Sequence, residues 1–403
     1  MSTGISGWDA EYDVVVVGSG AGGMTAALCS HDKGLETLLI EKAEVYGGTT
    51  AVSGGGIWIP CNDQVQAKGG SDDLEAARKY VHALTKGDTD PQRVDTYLDT
   101  GPAMVRYMQE RFDVQFDLVT KYPDYFMHVA GAKATHRSLE PAVFDARDLG
   151  EELENQRPPY PSTLVMDRIT MGQAEARIVI AKDKGWMWFF IKLVLGYWLD
   201  WPWRFKTKRD RKMKMGQALV AYLRKAMLKE KVPLWLNTGL EDLVEEDGRV
   251  TGVVASQNGK TLRIGARKGV ILASGGFEAN QAMREKYLPQ PSKAEWSVAP
   301  GCNHGEGIEA SLRIGAAVQG MDRVWGAPAI VSPVGNPATA LFVERALPRC
   351  MIVNNQGKRY MNEAGAYTGV VYAMLKNQQE TGGAVPSWFI ADAVYRKNYP
   401  MGP

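Results

Sequence analysis

Cysteine is scarce in this sequence: four residues in 403, at Cys29, Cys61, Cys302 and Cys350. None forms a C-x-x-C pair, which argues against both a disulfide scaffold and a structural zinc site and fits a reducing compartment. The five histidines show no metal-ligand spacing, so no metal is expected. Net charge is almost absent, since 47 basic residues against 46 acidic ones leave +1. That balance argues against a general nucleic-acid binder. The opening MSTGISGWDAEYD is polar and lacks an apolar stretch behind a basic start, so it does not read as a secretory signal. What the chain has in plenty is glycine, 43 residues, above the usual share of about 7%. The glycines cluster rather than repeat, which excludes collagen and points to tight loops. With 45% hydrophobic residues the chain can bury a sizeable core. A prior of roughly 150 residues per domain gives two or three domains.

Residues 12–42 read YDVVVVGSGAGGMTAALCSHDKGLETLLIEK. The β-branched run at 14–17 suits a strand buried on both faces. Gly18, Gly20 and Gly23 follow in G-x-G-x-x-G spacing, with Ser19, Ala21 and Gly22 between them. A helical stretch at 24–30 and a second strand at 37–40 complete a βαβ unit, and Glu41 and Lys42 stand at the strand's tip. The three glycines serve, in order, the tight turn, the close approach of backbone to a pyrophosphate, and the packing of helix on strand. The helix N-terminus offers N–H groups to the phosphates, and Glu41 can accept ribose hydroxyls. Two further small-residue loops follow, Gly47, Gly48, Thr49 and Thr50, then Ser53, Gly54 and Gly55. A nicotinamide site has no need of them. A flavin site does, because small residues let backbone and hydroxyl groups crowd the pyrophosphate, ribityl chain and ring.

These strings, GSGAGG, EKA and GGTTAVSGGGIW, resemble the flavoprotein group that holds fumarate reductases and 3-ketosteroid dehydrogenases. The form ending in Trp58 is nearer the ketosteroid Δ1-dehydrogenase branch. The resemblance implies an α/β fold: a Rossmann-like FAD-binding domain of the glutathione-reductase type, a helical insertion and a partial α+β capping domain. The expected division is 1–141 and 215–320 for the FAD domain, 142–214 for the insertion and 321–403 for the capping domain.

Along the chain, residues 71–112 show helical spacing at Leu74, Ala77, Val81, Tyr97, Met104 and Met108, broken between Gly87 and Pro91. Residues 216–230 read as a helix and 233–237 as a strand. Asp247-Gly248 and Asn258-Gly259 are hairpin signals. Residues 270–273 read as a buried strand, and Ala273, Ser274, Gly275 and Gly276 resemble the return of the FAD domain beside the pyrophosphate. The string at 301–320 places a glycine-rich turn before a helix, and its His304 reads as structural. Gln356-Gly357 reads as a hairpin turn.

In the ketosteroid branch a Pro-Asp-Tyr-Phe loop carries an active-site tyrosine, and a second tyrosine shortly after an R-(F/Y)-x-N-E string serves as the base. By that match the candidates are Tyr125 and Tyr367, with Tyr360 and Tyr372 as nearby decoys. The implied reaction is 1,2-dehydrogenation of a 3-ketosteroid, with hydride to the flavin N5 and a proton to Tyr367 while Tyr125 shares the developing charge. A phenol with a pKa of about 10 needs such help near neutral pH. Two other readings stand beside it: a fumarate-reductase-like flavoprotein acting on a dicarboxylate, and a membrane-docked flavin-binding protein without catalysis. The resemblance also implies a later segment with a Tyr-Pro-Gly-Gly type string, which this sequence does not contain. The chain is therefore expected to lack on the order of one more domain-sized piece.

Residues 186–203 pack eight aromatics, five of them tryptophan, and seven basic residues follow by position 214. Lys192, Asp200 and Pro202 argue against a spanning helix. Apolar, Trp-rich surface beside cations suits an anionic leaflet. Burial as a helical subdomain or protein interface is the competing placement. The expected location is cytoplasmic, at the inner membrane face where 186–214 touches lipid, and the electron acceptor stays open.

Overall fold

Val15 and Val16 have no exposed surface and lie in β1 (Ala10–Val17), the strand on which the molecule is organised. A computed structural model of the chain describes residues 7–331 and 338–399. After β1 the chain turns at Gly18, runs through α1 (Ala21–Asp32) and returns as β2 (Thr37–Ile40), buried along its whole length. β1 and β2 are parallel, with Val14 opposite Thr37 and Val17 opposite Ile40. Parallel neighbours need a crossover, and α1 supplies it.

The chain then leaves the sheet. β3 (Ile57–Trp58) leads to α2 (Leu74–Thr85) and α3 (Pro91–Phe112). Asp73 caps the first by accepting the Glu75 N–H. Asp90 caps the second by accepting the Gln92 N–H, with Pro91 at its first position. Those caps explain the break at 87–91. Ala77 and Met108 are buried as the helical spacing predicts, while Tyr97 and Met104 of the same spacing face outward. β4 (Phe116–Leu118) and β5 (Ser138–Pro141) join β3 in a small antiparallel sheet of order β3-β5-β4.

Within 142–214, Phe144, Ala146, Leu149 and Leu153 belong to the main core. The aromatic stretch forms α4 (Trp186–Leu199), in which Tyr197 is the buried residue. Among the described residues no helix is long and apolar enough to cross a membrane. The seven basic residues divide between inward and outward positions. Arg209 donates to the Leu153 and Gln156 carbonyls, Arg211 pairs with Asp145 and Asp200, and Lys214 pairs with Glu175. These three turn inward because buried carbonyls and carboxylates there need donors; Lys206, Lys208 and Lys212 stay exposed.

α5 (Met215–Glu230) is buried on nearly all sides and packs on α1. β6 (Leu234–Trp235) adds to β2 in parallel. β7 (Thr238–Glu246), β8 (Arg249–Gln257) and β9 (Lys260–Leu272) form a meander. Its turns put Asp247, Gly248, Asn258 and Gly259 at positive φ, as two-residue hairpin turns demand. The sheet order is β6-β2-β1-β9-β8-β7. β9 serves twice: its first half pairs antiparallel with β8 and its last residues pair parallel with β1. The strand expected at 270–273 is there, but it is not buried: Ile271 and Leu272 are 36% and 37% exposed. The β8 ladder stops at Gly265, so among the described residues this end of β9 has β1 as its one strand neighbour.

α6 (Glu306–Arg313) starts after Gly305. The last part of the chain holds β10 (Cys350–Val353), α7 (Tyr367–Thr381) and β11 (Trp388–Ala391). The turn at Gln356-Gly357 exists, yet it closes no hairpin. Asn354 accepts the Gln356 and Lys358 N–H groups and Val353 makes one bridge to Arg359, while β10 pairs antiparallel with the distant β11.

Candidate active site

The small-residue loops converge at the C-terminal ends of β1, β2 and β9. A Cβ on Gly23 would meet the Gly18 carbonyl oxygen at 1.8 Å, and a Cβ on Gly18, whose φ is +100°, would meet the Ala273 carbonyl oxygen at 2.5 Å. Only glycine allows both approaches. Ser19 ties the first loop to the second: its Oγ donates to Glu41 Oε2 at 2.6 Å and accepts the Gly47 N–H at 3.0 Å. Thr50 Oγ1 accepts the Ala21 N–H at 3.0 Å. Ser53 Oγ donates to the Thr50 carbonyl at 2.8 Å and accepts the Gly55 N–H at 3.0 Å. Gly54 lies against the Gln173 amide. Ser274 and Gly275 close the ring from β9: Gly275 abuts Asn303, whose amide donates to Thr49 Oγ1 at 3.0 Å and to Glu278 Oε1 at 2.5 Å. Gly276 lies against Glu278.

Glu41 is more occupied than the sequence implies. Its carboxylate accepts the Ser19 N–H at 3.0 Å, the Ser19 hydroxyl and the Ala43 N–H at 2.9 Å. A carboxylate has about four acceptor positions, so a ribose would use what these leave. Lys42 pairs with Glu306 at the start of α6. Burial works to raise the Glu306 carboxyl, and the bonded Lys42 ammonium together with a backbone N–H more than offsets it, holding the group below the ordinary range. Asn303 does not stand out in the sequence, although the glycine-rich turn containing it does; its neighbour His304 is the more conspicuous residue there. His304 contributes its carbonyl, which accepts the Asn280 amide at 2.9 Å.

These residues fit a dinucleotide. α1 has no acidic residue in its first turn and no side-chain cap; Thr50 Oγ1 takes its first amide, at Ala21, and the next two, at Gly22 and Gly23, are left for an anion. A Cβ on Gly22 would meet nothing within 4 Å, which leaves the outer side of the loop open.

A second cluster forms where the loop at 120–137 meets the start of α7. The Tyr125 hydroxyl donates to the Tyr367 hydroxyl at 3.2 Å, and the rings stand edge to face with centroids 5.4 Å apart. The two residues are 242 positions apart in sequence. Trp325 Nε1 donates to the same Tyr367 oxygen at 2.9 Å. Phe342 packs edge-on against Tyr367 with centroids 5.2 Å apart, and Tyr122 stands 6.4 Å from Tyr125. Trp325, Phe342 and Tyr122 carry no signal in the sequence, since nothing in their spacing marks a contact with Tyr367. Burial first, then the bond to Tyr367 and the neighbouring Tyr122, push the Tyr125 phenol up. Tyr125 therefore keeps its proton and acts as a donor. Two donors converging on one phenolic oxygen stabilise negative charge there when a proton departs. The decoys stand apart: Tyr360 shares a 2.6 Å hydrogen bond with Ser387 Oγ, and Tyr372 is an exposed residue of α7. Of the R-Y-M-N-E string, Arg359 and Glu363 pair with each other at 3.0 Å.

The profile of the FAD binding domain family matches residues 13–398. The chain is 42% identical over 401 residues to the 3-oxosteroid 1-dehydrogenase of Mycolicibacterium smegmatis, spanning 96% of this chain and 69% of that protein. It is similar to the crystal structure of 3-ketosteroid Δ1-dehydrogenase from Sterolibacterium denitrificans in complex with 1,4-androstadiene-3,17-dione. There the TM-score is 0.94 and the identity 47%, over 98% of this chain and 71% of the other. An open flavocytochrome c3 fumarate reductase shares the fold alone, with TM-score 0.65 and 21% identity over 97% and 54% of the two chains.

Proposed function

The chain belongs to the FAD-binding flavoproteins that include the 3-oxosteroid 1-dehydrogenases, and from that membership we propose that it is an FAD-dependent 3-ketosteroid Δ1-dehydrogenase. The cofactor is FAD, which when bound supplies an acceptor for two electrons. Its phosphates fit the loop of Gly18, Ser19, Gly20, Ala21, Gly22 and Gly23. Glu41 and Lys42 face the ribose end, and the small-residue loops at 47–50, 53–55 and 273–276 form the remaining cradle. In this reading 1–141 and 215–320 build the cofactor side, 321–403 brings in Tyr367, and 142–214 is the insertion.

Removing hydrogens from adjacent carbons of a 3-ketone needs a base beside the carbon next to the carbonyl. Tyr367 holds that proton at its hydroxyl oxygen. Tyr125 and Trp325 donate to the same oxygen and share the charge as it develops. The carrying observation is this three-membered hydrogen-bonded cluster, assembled from residues 125, 325 and 367. Its wall is aromatic, with Phe342 and Trp325 52% and 82% exposed, which suits a flat apolar ring system. A dicarboxylate would want cationic clamps at its ends, and aromatic edges do not supply them. The test is anaerobic bleaching of the FAD-loaded protein by androst-4-ene-3,17-dione. Bleaching is expected, and its absence together with reoxidation of the reduced protein by fumarate would favour the dicarboxylate reading.

The outer face of the insertion is read as a contact for an anionic phospholipid surface. Met187, Trp188, Leu199, Trp201 and Phe205 are between 62% and 81% exposed, and Lys192 lies over the Trp188 ring. Lys206, Lys208 and Lys212 stand nearby in sequence, free to meet headgroups. Co-sedimentation with phosphatidylglycerol vesicles, lost in a Trp188→Ser/Trp201→Ser/Phe205→Ser variant, is expected. Concentration-dependent dimerisation without vesicle binding would instead mark this face as a protein interface.

A further inference from the structure

Two buried arginines bond to the segments that carry the phenol pair, and the reaction gives neither a part. Arg137 is 1% exposed and Arg345 3%. Arg137 precedes β5. Its Nε donates to the Asp72 carboxylate at 3.1 and 3.2 Å. Its Nη1 donates to Asp124 Oδ2 at 2.8 Å and to the Gly131 carbonyl at 2.9 Å. Asp124 stands immediately before Tyr125 and also accepts from Trp58 Nε1 at 2.7 Å and from the Lys133 N–H at 2.8 Å. On the other side of Tyr125, the Phe126 N–H donates to the Tyr80 hydroxyl at 3.1 Å. Both flanks of Tyr125 are thus pinned.

Arg345 does the equivalent for Tyr367 with backbone alone. Its Nε donates to the Leu341 carbonyl at 3.0 Å, and its Nη1 donates to the carbonyls of Gly365, at 2.6 Å, and Glu363. Leu341 precedes Phe342, and Gly365 lies in the turn that launches α7 at Tyr367. One guanidinium therefore joins the segment carrying Phe342 to the turn carrying Tyr367. The fork of fixed N–H directions makes this possible in a way a flexible ammonium does not match.

Desolvating a guanidinium is costly, and replacing a whole buried ion network by apolar side chains of similar volume is often neutral or stabilising. What the guanidinium adds is direction. We propose that Arg137 and Arg345 are positioning residues that set the Tyr125–Tyr367 hydrogen bond, one from each segment. The inference rests on the dehydrogenase reading above. A phenol moved by about 1 Å would cost about a hundredfold in rate.

The test uses the FAD-loaded chain with 3-fluorotyrosine placed at position 367. The variants are Arg345→Met, Arg345→Lys, Arg137→Lys and Asp72→Asn, with Arg111→Lys as a remote ion-pair control, since Arg111 pairs with Asp32 and Glu230. For Arg345→Met, kcat with androst-4-ene-3,17-dione is expected to fall about ten- to a hundredfold while KM and bound flavin hold. Arg345→Lys restores part of the loss, and Arg111→Lys changes neither constant. The fluorine resonance responds to Tyr125→Phe in the native background and loses that response in the arginine variants. Unchanged kcat with an intact fluorine response overturns the proposal. So does a loss of kcat matched by an equal loss of flavin, which marks plain destabilisation. Should Arg345→Met or Arg137→Lys fail to fold, Arg345→Lys and Asp72→Asn decide: the first keeps a donor without the fork and the second removes the carboxylate that orients Arg137, and an intact fluorine response in both overturns the proposal. Native protein that leaves the steroid untouched sinks the dehydrogenase reading, and the fluorine response still decides whether the arginines set the pair.

Discussion

At Gly23 one added methyl group would strike a carbonyl oxygen at 1.8 Å, whereas Tyr367 meets Phe342 edge to face with centroids 5.2 Å apart and the flanking Trp325 is 82% exposed. The cofactor side is made of backbone pressed against backbone, with side chains of hydroxyl size serving as links. The phenol side is made of large rings that touch at edges and are aimed by buried charge behind them. The first arrangement tolerates no added volume and is written in short spacings. The second depends on the direction in which its side chains are held, and it joins residues 242 positions apart.

By that contrast, the sharpest break comes from volume on the cofactor side. Gly23→Ala should cost about 1–3 kcal/mol or more and abolish flavin binding, read as colourless purified protein with a lowered thermal midpoint. Volume-neutral change on the phenol side should do the reverse: Tyr367→Phe keeps the flavin and the midpoint but slows bleaching by steroid about 10²- to 10⁴-fold. A yellow Gly23→Ala protein, or a Tyr367→Phe protein that lost its flavin, would erase the distinction. Tyr125→Phe removes one donor to the developing charge, and a rate loss of about ten- to a hundredfold is expected. Trp325→Phe removes the other donor at a far more exposed position, and there about two- to fivefold suffices. Measuring both in one bleaching assay ranks the two donors directly.

The smallest effect is on acidity. Burial raises the Asp72 carboxyl, but the bond to Arg137 and the N–H groups of Cys61 and Asp73 more than offset it, so the group titrates below its ordinary range. A depressed carboxylate contributes stability that is full above its unfolded pKa, about 3.9, and is lost as pH falls through the lower folded value. The clamp behind Tyr125 should therefore hold through neutral pH and loosen in acid. An Asp72→Asn variant whose thermal midpoint matched the native one at pH 7 would contradict this.

The same contrast explains what could be read from the sequence. β2 lies at 37–40 as the pattern gives it, and the turns at Asp247-Gly248 and Asn258-Gly259 take the positive φ that their residues require. These are local decisions, made within a few residues. The turn at Gln356-Gly357 is also local and also forms, but its strand partner is 388–391, and no local rule names a partner that distant. Ile271 and Leu272 carry the composition of a buried strand, yet burial depends on what lies over a strand rather than on the strand itself. Tyr125 and Tyr367 are legible through family resemblance. Trp325, Phe342, Asn303 and the two buried arginines are not, because their roles are defined by contacts and not by spacing.

The central claim is that Tyr367 removes the proton next to the substrate carbonyl. The most direct measurement is hydrogen exchange at C2 of androst-4-ene-3,17-dione in deuterated buffer, followed by mass spectrometry, with native and Tyr367→Phe protein under anaerobic conditions. Exchange or loss of the C2 hydrogen with native protein, and neither with Tyr367→Phe despite full flavin content, is the result predicted here. Equal exchange by both proteins would contradict the assignment and move the base to another residue.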